Sequence, residues 1–212
     1  DIDGIAGHLL AASIMSAPAA LVVAKIIYPE TEESQTKGDL TISIKNDDDN
    51  IMEALSTGAT NGMKLAANVA AMLIAFVATI AMVNAVLSLF GLSLEQILGW
   101  IFSPLAWVMG VPWQEAYVVG SLIGKKLVLT ELSAFGDLST LISDNVLSER
   151  SAIISSYALC GFANFASIGI QLGGIGGIAP ERRKDIAQLG LKTMFGGAIA
   201  SWLTATIAGL LI

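Results

Sequence analysis

The residues with the greatest capacity for chemistry lie in an otherwise apolar segment that runs from Gln114 to Leu141. Its five ionisable side chains are Glu115, Lys125, Lys126, Glu131 and Asp137. A charged group inside a bilayer is costly, so a carboxylate there is a functional candidate by default, and we single out Glu131. Lys125 and Lys126 are either its counter-ions or solvated groups at the mouth of this segment.

The spacing of these charges also predicts how the segment folds. Five ionisable groups on one straight, lipid-exposed helix would cost too much. We therefore expect a re-entrant helical hairpin over residues 114–141 that does not cross the membrane. Its tip, near residues 130–133, can be non-helical because it faces a cavity instead of lipid.

A second set of polar residues interrupts the apolar stretch from Ser151 to Ile170, which we expect to be one helix. Asn164 and Ser167 are three residues apart and would share a helical face. That face suits a solute path or a bundle interior. From the residues alone, hydrogen bonding to a neighbouring helix is the default interpretation.

Other motifs carry weaker signals. The run from Asp47 to Asp49 is either a cation site or a solvated turn, and calcium loops need spaced ligands and a glycine turn. The glycines from Gly173 to Gly177 suggest a phosphate cradle or a flexible break at a helix end, and no Lys-Ser/Thr pair follows them. A single cysteine, Cys160, and a single histidine, His8, argue against a disulfide framework and a multi-Cys or His-based metal site.

Composition decides the broad class. The 212 residues are 54% hydrophobic and 14% charged, where soluble domains carry about 25% charge. Mean hydropathy is +0.71. Two stretches of 30 residues, 65–94 and 151–180, carry no charge, and about 20 apolar residues span a bilayer. We predict an all-α, polytopic membrane protein. This composition argues against a soluble enzyme, and the net charge of −7 argues against a nucleic-acid partner.

The remaining elements follow from apolar runs and their interruptions. We expect an apolar helix over 9–28 kinked or broken at Pro18, an acidic loop over 29–53, and a long helix over 57–92. A short interfacial helix over 93–111 would begin at Ser93, carry two tryptophans and be interrupted by Pro104. A last helix covers 186–212.

Basic residues predict the orientation of these elements. Those in the connections 29–64 and 171–192 place both in the cytoplasm. Both connections can lie on the cytoplasmic side only if residues 114–141 do not cross the membrane. This is independent support for the re-entrant hairpin.

Several stretches together resemble one family, the concentrative nucleoside transporters. They are HLLAASIMSAPAA at 8–20, PETEE at 29–33, GVPW at 110–113, YALCGFANFASIGI at 157–170, PERR at 180–183 and LTATIAG at 203–209. The resemblance covers essentially the whole chain but only the C-terminal half of a full-length member. We therefore expect the chain to be a fragment of a longer protein.

The resemblance implies a homotrimer whose protomers each combine a scaffold with a mobile transport domain built from inverted repeats. Residues 1–56 would hold a transmembrane helix of the first repeat and an acidic cytoplasmic loop. Residues 57–92 would form the scaffold and trimer-contact helix. Residues 93–212 would form the second repeat, with the interfacial helix, the re-entrant hairpin and two C-terminal helices.

The resemblance also implies a site. Glu131 of the hairpin, with Phe162, Asn164 and Ser167 of the Phe-x-Asn-x-x-Ser motif, would hold the ribose of a nucleoside. The family's usual Asn-Glu-Phe-Val-Ala reads here Thr-Glu-Leu-Ser-Ala from residue 130 to 134. This departure opens the choice of substrate, since the carboxylate is kept while three neighbours change.

The implied function is an ion-coupled nucleoside symporter, with elevator-like alternating access, in the plasma membrane (the bacterial inner membrane). No organic cofactor and no enzymatic step are expected. Sodium, in preference to protons, is the expected coupling ion, with its ligands outside this chain. The alternatives are a symporter for another polyhydroxylated solute, or a structural or channel subunit in which Glu131 lines a pore.

Overall fold

The computed structural model describes residues 4–31 and 49–212, and within these residues every regular element is helical. The helices are α1 Ile5–Ile27, α2 Ile51–Ser88, α3 Leu94–Val108, α4 Trp113–Val128, α5 Glu131–Ser143, α6 Glu149–Leu159, α7 Phe165–Ile178 and α8 Arg183–Leu211. A 3₁₀ turn, Pro180–Arg182, precedes α8. The all-α prediction is confirmed. Asp47, Asp48 and most of the acidic loop lie outside the described residues.

Side-chain caps mark the starts of α2 and α3, and the predicted start of α3 at Ser93 is confirmed. The side chain of Asn50 accepts a hydrogen bond from the backbone N–H of Glu53 and begins α2. Ser93 begins α3 in a capping box with Gln96, in which each residue's side chain accepts from the other's backbone N–H. Such side chains satisfy donors that the first helical turn leaves unpaired.

The two prolines do not break their helices. Pro18 lies inside α1 and Pro104 inside α3, and both helices continue through them. The predicted interruption at Pro104 is therefore wrong, and of the kink or break predicted at Pro18 the break does not occur. A proline removes only one backbone hydrogen bond, and membrane helices tolerate that loss when neighbouring groups compensate. The chain turns instead at Gly110, whose φ of 101° favours glycine, and α3 and α4 meet there at a bend of 119°.

Some helices are long and apolar enough to cross a bilayer. In the described part of the chain these are Ile5–Ile27 and the Pro180–Leu211 stretch, with the bent pair of α3 and α4 as a third candidate. α2 has 38 residues, starting and ending earlier than predicted, and is therefore about 57 Å long. A helix of that length exceeds the bilayer core, so it must tilt or project beyond it.

The core lies where α3, α4, α6 and α8 meet. α6 is buried over the whole of 151–159, with Ile154 and Leu159 fully enclosed. Arg150, at its start, donates to the carbonyl oxygens of Gly110 at 3.0 Å and Gly209 at 2.6 Å, and also to that of Ile212. It thereby ties the carboxyl ends of α3 and α8 to the amino end of α6.

α3 and α4 approach each other closely through glycines. A methyl group added at Gly120 would lie 2.7 Å from the carbonyl oxygen of Gly99 and 2.8 Å from the backbone nitrogen of Ser103. Backbone atoms cannot move aside as a flexible side chain would. The small residue is therefore required for this contact.

We predict that Gly120→Ala lowers the free energy of unfolding by about 1–3 kcal/mol, because it overpacks the α3–α4 contact. Gly136→Ala is the matched control, since an added methyl there meets open space and alanine favours a helix. Thermal unfolding of the purified variants in detergent measures both. Equal melting temperatures for the two variants would contradict the close approach of α3 and α4.

Candidate functional site

Over residues 114–141, where the sequence predicts a re-entrant hairpin, the structure has α4 and α5, which pack against each other and are separated at Leu129 and Thr130. Thr130 is the N-cap of α5, and its hydroxyl accepts from the backbone N–H of Ser133 at 3.3 Å. Glu131 is therefore the first residue of α5, at the tip that the sequence predicts. Its partly buried carboxylate lies at the positive end of a helix.

A second break separates α6 from α7, and it corrects the prediction of one helix over 151–170. Leu159 ends α6, Phe165 begins α7, and residues 160–164 between them are not helical. Gly161 has a φ of 140°, which side chains rarely allow. An added methyl there would also lie 2.8 Å from the hydroxyl of Ser201.

Asn164 and Ser167 form the cap of α7 instead of a face inside a longer helix. The amide oxygen of Asn164 accepts from the backbone N–H of Ser167 at 2.8 Å, and the hydroxyl of Ser167 accepts from the backbone N–H of Asn164 at 3.3 Å. This is a capping box. Asn164 is 3% exposed and Ser167 is buried. Their three-residue spacing is that of a helix start, a signal that the sequence interpretation missed.

The two breaks meet through one hydrogen bond. The amide nitrogen of Asn164 donates to the carboxylate of Glu131 at 3.0 Å. The structure therefore brings together two of the four predicted site residues, each in the first turn or at the cap of its helix. Ser167 stays close to this pair through the cap: its hydroxyl donates to the carbonyl of Asn164 at 2.5 Å.

Phe162 lies apart from this hydrogen-bonded group. Its ring is 75% exposed, within the break between α6 and α7. It lines a cavity of about 560 Å³ together with Ser167 and residues of α1, α7 and α8. Among the described residues, that lining does not include Glu131 or Asn164. Phe162 and Ser167 both line the cavity and lie on either side of Asn164 in the sequence. They therefore link the cavity to the Glu131–Asn164 pair.

The two lysines of α4 have different partners. Lys125 forms an ion pair of 2.5 Å with Asp137, across the hairpin. Lys126 is 0% exposed, and its ammonium donates to the carbonyl oxygen of Ala158 at 2.9 Å. Lys126 therefore lies in the interior, not at the mouth of the hairpin. In the sequence, the only indication that Lys126 is buried is that apolar residues lie on both sides of the lysine pair.

The glycine-rich run does not form the predicted break. α7 remains helical through Gly173, Gly174 and Gly176 to Ile178, and the chain breaks at Ala179 and Pro180 instead. Proline favours the start of the next helical turn, whereas glycine is only modestly unfavourable inside a packed helix.

The chemistry of the site follows from its donors and acceptors. A carboxylate, an amide and a hydroxyl lie at the amino ends of α5 and α7, beside exposed apolar surface. A carboxylate accepts strong hydrogen bonds from hydroxyl groups, and amide and hydroxyl groups both donate and accept. The arrangement suits an uncharged solute that carries hydroxyl groups.

Comparison with known proteins points to one family. The sequence model described as "Na+ dependent nucleoside transporter C-terminus" matches residues 8–209. An uncharacterized transporter of Bacillus subtilis, YutK, is 51% identical over 97% of this chain and 52% of its own length. Human sodium/nucleoside cotransporter 1 is 41% identical over 97% of this chain and 35% of its own length. The chain thus spans about half or a third of these relatives.

Solved structures agree with this similarity. CNTnw in an inward-facing substrate-bound state is 44% identical, with a TM-score of 0.79 over 96% of this chain and 50% of that one. A CNTnw variant in an outward-facing state is 43% identical, with a TM-score of 0.78 over 96% of this chain and 51% of that one.

Two substitutions separate the capping role of Asn164 from its contact with Glu131. Asn164→Ala removes both, and the lost cap should cost about 0.5–2 kcal/mol of stability. Asn164→Asp keeps an oxygen that caps α7 but replaces the amide donor with a carboxylate facing Glu131. We predict that Asn164→Asp/Glu131→Gln is more stable in thermal unfolding than Asn164→Asp alone, because the second change removes the repulsion. No gain on adding Glu131→Gln would contradict the observed contact.

Proposed function

The chain belongs to the Na+-dependent nucleoside transporter family, and from that premise we propose that it forms the C-terminal portion of a sodium-coupled nucleoside symporter. The observation that carries the proposal is the hydrogen bond between Glu131 and Asn164, which joins two helix breaks. Transporter sites are typically built from such discontinuous helices. The family membership confirms the resemblance seen in the sequence, and because the family is one of transporters, it also confirms the prediction that the protein is not an enzyme.

We assign the ribose to the Glu131–Asn164 pair. The Glu131 carboxylate would accept hydrogen bonds from the vicinal hydroxyls, and these charge-assisted bonds would be the strongest in the site. The amide of Asn164 is already shared between Glu131 and the cap of α7. Ser167 uses its own proton inside the cap, so it would contribute mainly as an acceptor. Phe162 would provide an apolar wall.

The geometry of α3, α4 and α5 supports the membrane arrangement that we propose. Trp100 and Trp107 are exposed on α3, as expected for a helix at the membrane interface. α4 and α5 would form a re-entrant hairpin whose tip carries Glu131 into the membrane. The tip can be non-helical because Thr130 satisfies part of its backbone internally.

The remaining elements complete the proposed transporter. Residues 1–56 would belong to the first repeat and residues 93–212 to the second, and both would move in an elevator-like step. Relatives solved in inward- and outward-facing states support alternating access. The long helix α2, which covers most of the predicted scaffold segment 57–92 and packs mainly against α7, would be the scaffold and homotrimer contact, in a multi-pass protein of the plasma membrane.

A second candidate is a symporter for another polyhydroxylated solute. It is favoured by the departure over residues 130–134, where Leu132 is 78% exposed beside Glu131. A channel with Glu131 in its pore is the remaining alternative.

Radiolabelled uridine uptake by the whole protein, with and without a sodium gradient, tests the proposal. We expect uphill accumulation that collapses with the gradient. Equilibration that ignores the gradient would indicate a channel. Sodium-driven uptake of another hydroxylated solute, but not of uridine, would favour the second candidate.

We predict that Glu131→Gln weakens nucleoside binding by about tenfold to hundredfold, since a lost charge-assisted bond costs about 1.5–3 kcal/mol. An amide accepts through one oxygen and presents an unwanted donor. The variant should also discriminate far less between uridine and its 2′,3′-dideoxy analogue in competition binding.

The matched control is Glu181→Gln, an exposed carboxylate of the 3₁₀ turn, which should bind like the unmodified protein. Asn164→Ala and Ser167→Ala should each cost less than Glu131→Gln, because neutral bonds contribute about 0.5–1.5 kcal/mol. Undiminished ribose preference in Glu131→Gln would rule out Glu131 as the ribose ligand.

A further inference from the structure

Lys126 of α4 is fully buried, and its ammonium lies at the carboxyl end of another helix, α6. Its ammonium donates to the carbonyl oxygen of Ala158, in the last turn of α6, at 2.9 Å. It also lies within electrostatic range of the Glu131 carboxylate and of Cys160. Its position next to Gly161 places it against the break between α6 and α7: a methyl group added to Gly161 would be 4.0 Å from the ammonium.

Burying an ammonium is costly unless charges and carbonyls compensate it. The last turn of a helix offers such compensation, because its carbonyls lack helical partners and carry a partial negative charge. In ion-coupled transporters, the carboxyl ends of interrupted helices are places where the coupling cation binds. In this chain the carboxyl end of α6 already holds a positive charge, covalently attached through α4.

We propose that Lys126 is a built-in cation that occupies the place of a coupling ion at the carboxyl end of α6 and balances the charge of Glu131. The inference rests on the proposed function, and it assigns a role to a residue that the ribose site does not use. Its consequence is specific. This half of the transporter carries a covalently attached cation, so we expect no exchangeable sodium at the break between α6 and α7, and a vacant cation site there once the ammonium is removed.

Two neutral variants separate charge from hydrogen bonding. Lys126→Met removes both, whereas Lys126→Gln keeps an N–H donor that can reach toward Ala158 without a charge. Lys125→Met is the matched control, because Lys125 is the adjacent residue but pairs with Asp137 at a partly exposed position.

The experiment measures uridine binding and thermal unfolding of the whole protein while sodium chloride replaces choline chloride at constant ionic strength. We expect both Lys126 variants to bind uridine about tenfold or more weakly at low sodium, because a positive charge near the Glu131 carboxylate is lost. Raising sodium should restore binding in these variants, with about one more sodium ion per protomer in the binding curve than for the unmodified protein. Lys125→Met should keep the unmodified sodium dependence.

The proposal is overturned if Lys126→Gln keeps the unmodified uridine affinity and sodium dependence, since a hydrogen-bond donor would then suffice. It is equally overturned if both variants lose stability by the same amount in sodium and in choline. Sodium-specific stabilisation of the variants beyond that of the unmodified protein supports it, even for a variant too unstable to bind uridine. An unmodified protein that binds no uridine would refute the nucleoside assignment, while the unfolding measurement would still decide the role of Lys126.

Discussion

An interrupted helix inside a membrane exposes backbone donors and acceptors that lipid cannot satisfy, so the protein must supply every partner itself. The two helix breaks of this chain, at residues 129–130 and 160–164, have side chains placed to satisfy such groups. Thr130 and Asn164 cap the helices that follow, and Lys126 takes up a carbonyl of the helix that ends. The caps fix each break locally, and the two breaks are joined by the hydrogen bond from Asn164 to Glu131 and by the contact of Lys126 with Ala158. The rest of the site depends on these contacts.

Asn164 shows how closely fold and site are joined. Its amide oxygen completes the cap of α7, while its amide nitrogen donates to Glu131. An amide is the side-chain group that can accept on one side and donate on the other in a fixed plane. The capping contact therefore sets the direction in which the amide nitrogen of Asn164 points, and the hydrogen bond from that nitrogen orients the carboxylate of Glu131. A solute that binds Glu131 meets a preorganised group, which lowers the ordering cost of binding.

Features governed by local rules could be predicted from the sequence. The apolar composition indicates an all-α protein, Ser93 is a good cap residue, and five ionisable groups in an apolar segment argue against one straight helix there, where the structure has α4 and α5. The break at residues 160–164 could not be predicted in the same way, because hydropathy averages over it and Asn164 reads equally as a packing residue. The burial of Lys126 could not be predicted either, because it depends on the carbonyl of Ala158, which is 32 residues away in the sequence.

The differences from the family's usual hairpin sequence, at residues 130–134, have two kinds of structural consequence. The asparagine that usually precedes the glutamate is replaced by Thr130, and threonine is also a good N-cap, so the start of α5 and the place of Glu131 are preserved. The aromatic residue that usually follows is replaced by Leu132, which is 78% exposed and takes no part in the cap. Changes there alter what a bound solute would touch without moving the carboxylate. In the proposed transporter, recognition of hydroxyl groups would thus be tied to the fold, whereas the surface next to it would be free to select among solutes that carry them.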